Sequence, residues 1–130
     1  TELLVHEHPG HTPGSASYSM RAMANGEAYD VAIINMGTIN PGVQLLENPN
    51  HPTVDQDFAI TFKRQKNLDV DIWVSVHAGF YQLHQKREPD DIYDPMTFYD
   101  PEGYLKTINK FEKLYQDKRI EEIARLPEKS

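Results

Sequence analysis

Two of the six histidines in this chain stand where a metal ligand would be placed. His11 lies inside Pro9-Gly10-His11-Thr12-Pro13-Gly14-Ser15, directly after the apolar run Leu3-Leu4-Val5. Glycine admits backbone conformations that other residues avoid, and proline fixes φ and removes a donor. The stretch therefore reads as a stiff, sharply turned loop holding one imidazole in one orientation. His77 ends a mostly apolar, β-branched run over residues 69–76. Neutral imidazole is a good zinc ligand, and sites in layered α/β proteins form at the carboxyl ends of strands. Spacing alone leaves the plainer alternative open, in which His11 hydrogen-bonds within its loop and His77 is a strand-terminal surface residue. The sequence has no cysteine, so any metal must be held by histidine and carboxylate.

The elements that would position these histidines follow from periodicity and punctuation. Residues 1–5 read as a strand end and residues 17–23 as a strand. Asn25-Gly26 is a hairpin-turn signal, and residues 28–35 supply the returning strand. Its segment Val31-Ala32-Ile33-Ile34 is apolar on both faces, which predicts a centrally buried strand. Thr53-Val54-Asp55-Gln56 has the capping-box pattern, with Thr53 as N-cap and Gln56 reaching back. The helix it opens places Val54, Phe58 and Phe62 on one face, as core. Residues 69–76 form the next strand and residues 80–86 a short helix, with an acidic loop over 88–94. Asp100-Pro101 is an N-cap and N1 pair for a last helix carrying Tyr104, Ile108, Phe111 and Tyr115 on one face. Glu121 and Arg125 pair on its outer side, and the tail after Pro127 frays.

The resulting order, hairpin, helix, strand, helix, helix, is an α/β arrangement: a small mixed sheet with about three helices. So small a sheet leaves a face or an edge uncovered. With a strand already under way at Thr1, this predicts one half of a larger sandwich whose amino terminus lies upstream. A length of 130 residues supports one modest core. The formal net charge of -7 disfavours nucleic acid or an anionic membrane as partner. No apolar run approaches the length of a membrane span.

The loop Pro9–Ser15, taken with Ser75-Val76-His77-Ala78-Gly79-Phe80-Tyr81-Gln82-Leu83-His84-Gln85-Lys86-Arg87, closely resembles the carboxyl-terminal half of the metallo-β-lactamase superfamily, and subclass B3 in particular. Asn48-Pro49-Asn50, Val54-Asp55-Gln56-Asp57-Phe58 and Asp100-Pro101-Glu102-Gly103-Tyr104 match as well, so the resemblance runs over nearly all of residues 1–130. It implies half of an αβ/βα sandwich and zinc-dependent hydrolysis of the β-lactam amide, hence antibiotic resistance, with one or two zinc ions in the complete site. It implies that His11 is a ligand of the first zinc and His77 of the second. The remaining ligands belong to a His-x-His-x-Asp-His motif in an amino-terminal half that this chain lacks.

His6-Glu7-His8-Pro9-Gly10-His11 has that histidine spacing, but Gly10 stands where the aspartate belongs. His6 and His8 are therefore read as solvent-facing strand-end residues. Where most B3 sequences have a serine near the second zinc, this chain has Met36, which predicts an altered second-zinc environment. Thr38 matches a hydroxyl residue that binds the substrate carboxylate, with turn capping as its bland alternative. His84 is read as a surface residue, His51 as a loop residue. The resemblance also implies a periplasmic or secreted location. By itself, the chain is expected to be inactive until completed by the missing half. Two other readings stay open: a superfamily hydrolase of another substrate, and a non-catalytic half-domain covered by another copy of the chain.

Overall fold

The computed structural model describes residues 2–126, so Thr1 and the expected fraying after Pro127 lie outside it. Strands β1 (Leu4–Glu7), β2 (Ala16–Ala24), β3 (Glu27–Ile34) and β4 (Ile72–Ser75) form one sheet in the order β1-β2-β3-β4. Helix α1 (Val54–Asn67) crosses from β3 to β4, a 3₁₀ turn (Ala78–Phe80) and the single-turn α2 (Leu83–Lys86) follow β4, and α3 (Pro101–Arg125) closes the chain. The β2–β3 hairpin turns at Asn25 and Gly26, with φ of 52° and 82°. This is the left-handed pair that a two-residue turn of the right twist requires.

Pairing direction decides where the site lies. β1 and β3 each run antiparallel to β2, and β4 runs parallel to β3. β1, β3 and β4 therefore all point the same way, and their carboxyl ends share one edge of the sheet.

One face of the sheet carries the core. Ala32, Ile34 and Trp73 are buried there with Val54, Phe58 and Phe62 of α1 and Tyr104, Ile108 and Tyr115 of α3. Side chains alternate along a strand, so the residues between them face the other way. Val5, Tyr18, Ile33 and Val74 are in register across all four strands. Val5 is 63% exposed and Ile33 46%. β3 is thus internal in the sheet but covered on one face only, contrary to the expectation from its doubly apolar sequence. On its second face Ile33 lies open, and the far end of the strand is met by the 87–99 segment, where Tyr29 touches the ring of Tyr99 at 5.9 Å.

The first helix begins as expected but not by the expected device. Thr53 makes no side-chain cap bond to the backbone. Its hydroxyl donates instead to Asp57 Oδ2 at 3.1 Å, while the Asp57 amide donates to the Thr53 carbonyl at 2.8 Å. The backbone of Thr53, at φ -100° and ψ 8°, is not extended, so its oxygen does not reach the free amides of the first turn. The expected helix over 80–86 is split, because Gln82 sits in the left-handed region at φ 55°. β4 is shorter than its apolar run, pairing with β3 only from Ile72 to Ser75.

The last helix starts as the sequence predicts: Asp100 Oδ1 accepts from the Gly103 amide at 3.0 Å, with Pro101 directly following. Asp100 also meets Lys86 Nζ at 2.9 Å, and that ammonium lies 4.6 Å above the Trp73 ring. The Glu121–Arg125 pair is present. Tyr104, buried, donates to the Gln65 carbonyl at 2.7 Å, and burial pushes its phenol well above the ordinary range.

Candidate metal centre

The loop after β1 is closed on itself. The His8 amide donates to the Ser15 carbonyl at 2.9 Å, and the Gly10 amide to the Thr12 carbonyl at 3.0 Å. The Thr12 amide donates to Ser15 Oγ at 3.0 Å. Gly10 has a φ of 141°, in the region that disfavours side chains. From this loop the half-buried His11 reaches the segment after β3, where its Nδ1 lies 2.8 Å from the Thr38 carbonyl and 3.1 Å from the Thr38 hydroxyl. A carbonyl has no proton to give, so the ring donates from Nδ1. The lone pair of neutral His11 is then on Nε2, free for a metal. Fixing a ligand's tautomer through its other nitrogen is the usual supporting contact for a metal-binding histidine.

Register brings His77 to the same edge of the sheet. Glu7 pairs with Ala16, and Ile34 with Ser75, so the ends of β1, β3 and β4 lie within about one residue of a common row. His11, Thr38 and His77 all follow those ends. Thr38 lies four residues past the end of β3, the strand that pairs with β4. His77 is exposed, its carbonyl accepts from the Phe80 amide at 3.0 Å, and its ring meets the edge of Phe80 at 5.0 Å. Phe80 rests in turn on Phe111 of α3 at 5.4 Å. Among the described residues, no group of three or more His, Cys, Asp or Glu side chains stands together to hold a metal ion. The edge presents two imidazoles, too few among the described residues for such a group.

No protein-family model matches the sequence. Solved structures do. The metallo-β-lactamase GOB-18 from Elizabethkingia meningoseptica aligns with a TM-score of 0.85 and 37% identity, over 92% of this chain and 44% of that one. A β-lactamase from Chitinophaga pinensis aligns at 0.84 and 35%, over 89% and 44%. The class B3 di-zinc metallo-β-lactamase LRA-12 from an Alaskan soil metagenome aligns at 0.82 and 36%, over 88% and 44%. The chain carries half of the subclass B3 metallo-β-lactamase fold. It thus spans less than half the length of these three structures.

Within that B3 half-fold the other expected residues distribute unevenly. Thr38 is at the edge, but its hydroxyl and carbonyl both engage His11. Met36 is buried in the hydrophobic core, 1% exposed. His84 is exposed on α2. His51 pairs with Asp57 at 2.8 Å at the start of α1.

The expectation for His6 and His8 needs correcting. His8 is buried, with Nδ1 2.6 Å from Ser17 Oγ, and His6 is half-buried, with Nε2 2.6 Å from Ser19 Oγ. β1 runs on to Glu7, and its pairing with β2 turns both rings toward the side covered by α1. Ser17 Oγ already accepts the Asn35 amide at 2.8 Å. Gln65 Nε2, a donor, approaches His8 Nδ1 at 3.5 Å, so Nδ1 is the accepting nitrogen. The Ser17 hydroxyl donates to it, and neutral His8 carries its proton at Nε2, the opposite tautomer from His11. Burial, then His6 and Arg64, depress the His8 pKa to about 4.

Sequence reasoning missed three positioning contacts. Thr61 donates to the Pro9 carbonyl at 2.5 Å. The Thr38 carbonyl serves His11, and the Glu122 carboxylate accepts the Leu45 and Leu46 amides at 2.9 Å each. Thr61 and Gln65 leave a trace in the sequence, as polar residues interrupting the face of α1 that carries Phe58 and Phe62.

Proposed function

We propose that this chain is the carboxyl-terminal half of a zinc-dependent hydrolase that opens β-lactam rings and so confers antibiotic resistance. The observation that carries the reading is the His11–Thr38 contact. It fixes the tautomer of one imidazole in a closed loop, at the edge where His77 emerges. The similar proteins named above are β-lactamases, and one is a di-zinc enzyme.

His11 and His77 fit zinc as two neutral imidazole ligands. A catalytic zinc site has three protein ligands and an open position, so the complementary half would supply the rest, for one or two ions. A zinc ion held there would supply a coordinated water with a pKa lowered to about 7 and a Lewis acid for a carbonyl. The chain's own residues do the orienting. Thr38 keeps the proton of His11 at Nδ1, Phe80 backs the ring of His77, and Met36 packs the core beneath the Thr38 segment. With its hydroxyl on His11, Thr38 serves the ring first, and any recognition of a substrate carboxylate is its second duty. Alone, the chain would be inactive. The open sheet face with Val5, Tyr18, Ile33 and Val74 is where the complementary half would lie. A periplasmic or secreted location belongs to the same reading.

Joining the chain to its amino-terminal half in the presence of zinc should give a protein that opens penicillin, cephalosporin or carbapenem rings, with His11→Ala and His77→Ala abolishing turnover. Hydrolysis of a lactone, thioester or phosphodiester but of no β-lactam would overturn the substrate. Hydrolysis of none of these would overturn the reading as an enzyme. The open face also favours a second reading, a half-domain covered by another copy of itself. A well-behaved monomer in size-exclusion chromatography would count against it.

A further inference from the structure

The histidine loop and the Thr38 segment both rest on one face of α1. A Cβ on Gly10 would stand 2.7 Å from Phe58 Cδ1, and one on Gly37 would stand 2.6 Å from Phe62 Cζ. Both loops thus lie directly against aromatic rings, through residues that lack a side chain. The two rings stack with centroids 6.2 Å apart, and Tyr115 of α3 leans on each at 5.7 Å. The Tyr115 hydroxyl donates to Asp55 Oδ1 at 2.7 Å, and Arg119 Nε to the same carboxylate at 3.0 Å, so the rings are backed by a tie between helices.

Two choices of residue here fit the seating of these loops. Gly37 is not among the glycines with positive φ, so its backbone would accept a side chain, and only the closeness of Phe62 forbids one. Thr61 is buried on the same side of α1 as the two phenylalanines, where valine would fill the same volume without burying a hydroxyl. Its hydroxyl is spent on the carbonyl of Pro9, two residues before His11.

We propose that the Phe58–Thr61–Phe62 face of α1 is a positioning platform for His11. It seats the His11 loop and the Thr38 segment at one mutual distance, so that Nδ1 meets the Thr38 carbonyl and Nε2 alone faces outward. The purpose rests on the metal reading of His11, whereas the seating is a property of the chain without metal. Phe58, Thr61 and Phe62 are positioning residues and touch no substrate.

The test is made on the ¹⁵N-labelled chain without metal at about pH 8, on the alkaline side of free imidazole. Long-range ¹⁵N–¹H spectra read the tautomer of His11. The unaltered chain should show a single Nδ1–H form. Thr61→Val and Gly37→Ala should each replace it by an averaged mixture. Thr61→Ser should recover the single form, and Phe62→Leu should recover it in the Gly37→Ala background by removing the ring carbons in the way. The indole signal of Trp73, which donates to the Asp100 carbonyl, should stay in place throughout. An unchanged His11 tautomer in Thr61→Val overturns the platform. So does an equal disturbance of Trp73, which would make Thr61 a general stabiliser. If Gly37→Ala does not fold, the Thr61 pair decides alone. A single tautomer in a chain whose completed protein takes up no zinc would overturn the metal reading and leave the platform standing.

Discussion

Protonating His8 should cost this fold much of its stability, although the residue plays no part in the proposed site. The neutral ring is buried, its Nδ1 accepts from Ser17 Oγ, and Gln65 Nε2 approaches the same nitrogen at 3.5 Å. A proton on Nδ1 would face two groups already oriented as donors, next to the charge of Arg64 and the ring of His6. The folded pKa is therefore depressed to about 4 against an unfolded value of 6.5. The sign follows from linkage: the unfolded chain binds the proton first, so the stabilisation is complete above 6.5 and is lost as pH falls toward the folded value. At about 1.4 kcal/mol per pH unit, that window is worth about 3 kcal/mol, a large share of a small domain's stability. Urea unfolding at intervals between pH 7 and pH 4 measures it. His8→Asn keeps an acceptor near the Nδ1 position but cannot be protonated. The carboxylates contribute to both proteins alike, so the difference in pH slope isolates His8. Equal slopes in the two proteins would refute the argument, whatever their absolute stabilities.

Three further outcomes are expected. Asp100→Ala removes the cap of α3 and leaves Lys86, whose side chain is 14% exposed, without its carboxylate; the loss should be about 2 kcal/mol in urea unfolding, and Asp100→Asn should recover only part of it. Glu122→Gln weakens the acceptance of the Leu45 and Leu46 amides; charged hydrogen bonds of this kind contribute about 1.5–3 kcal/mol, so those two amides should exchange about tenfold faster or more by hydrogen exchange. Calorimetry of the chain by itself should show no tight one-to-one zinc binding, and any weak uptake should vanish in His11→Ala and His77→Ala. Tight binding by the monomer would refute the incomplete-site reading.

What the sequence disclosed was settled locally. Asn25-Gly26 turns the hairpin, Asp100-Pro101 starts α3, and Phe58 and Phe62 lie in the core, because each depends on neighbours within a turn or two. What it concealed depends on distant partners. The contact that fixes His11 joins residues 27 apart in sequence, and the one that holds Pro9 joins residues 52 apart. His8 reads as a polar strand end until the β1–β2 register turns it under α1. Ile33 reads as doubly buried because the sequence of β3 suits a covered face, and the described chain covers the other. Thr53 shows how a local pattern fails: Asp57 takes the hydroxyl that the capping box would use.

On the proposed reading, the open face and the unfinished ligand set have one remedy, which leads to a last prediction. His11 is seated and its tautomer set before any metal arrives, so little loop ordering remains to oppose binding. Zinc would bind the assembled sandwich and neither half, and a ligand that binds only one state stabilises it by RT ln(1 + [L]/Kd). Association of this chain with its complementary half should therefore tighten as free zinc rises. At a hundred times the dissociation constant of the assembled site the gain is about 2.7 kcal/mol, roughly a hundredfold in affinity between the halves. Fluorescence of Trp73 is a poor reporter because that ring is buried on the helical side. Tyr18, 38% exposed on the open face, is a suitable place for a label. His11→Ala should abolish the zinc dependence while leaving the zinc-free association intact, because His11 lies at the sheet edge and not on the face that is covered. If zinc leaves the association of the halves unchanged, the apolar face and the histidine edge belong to separate functions, and the metal reading of His11 falls.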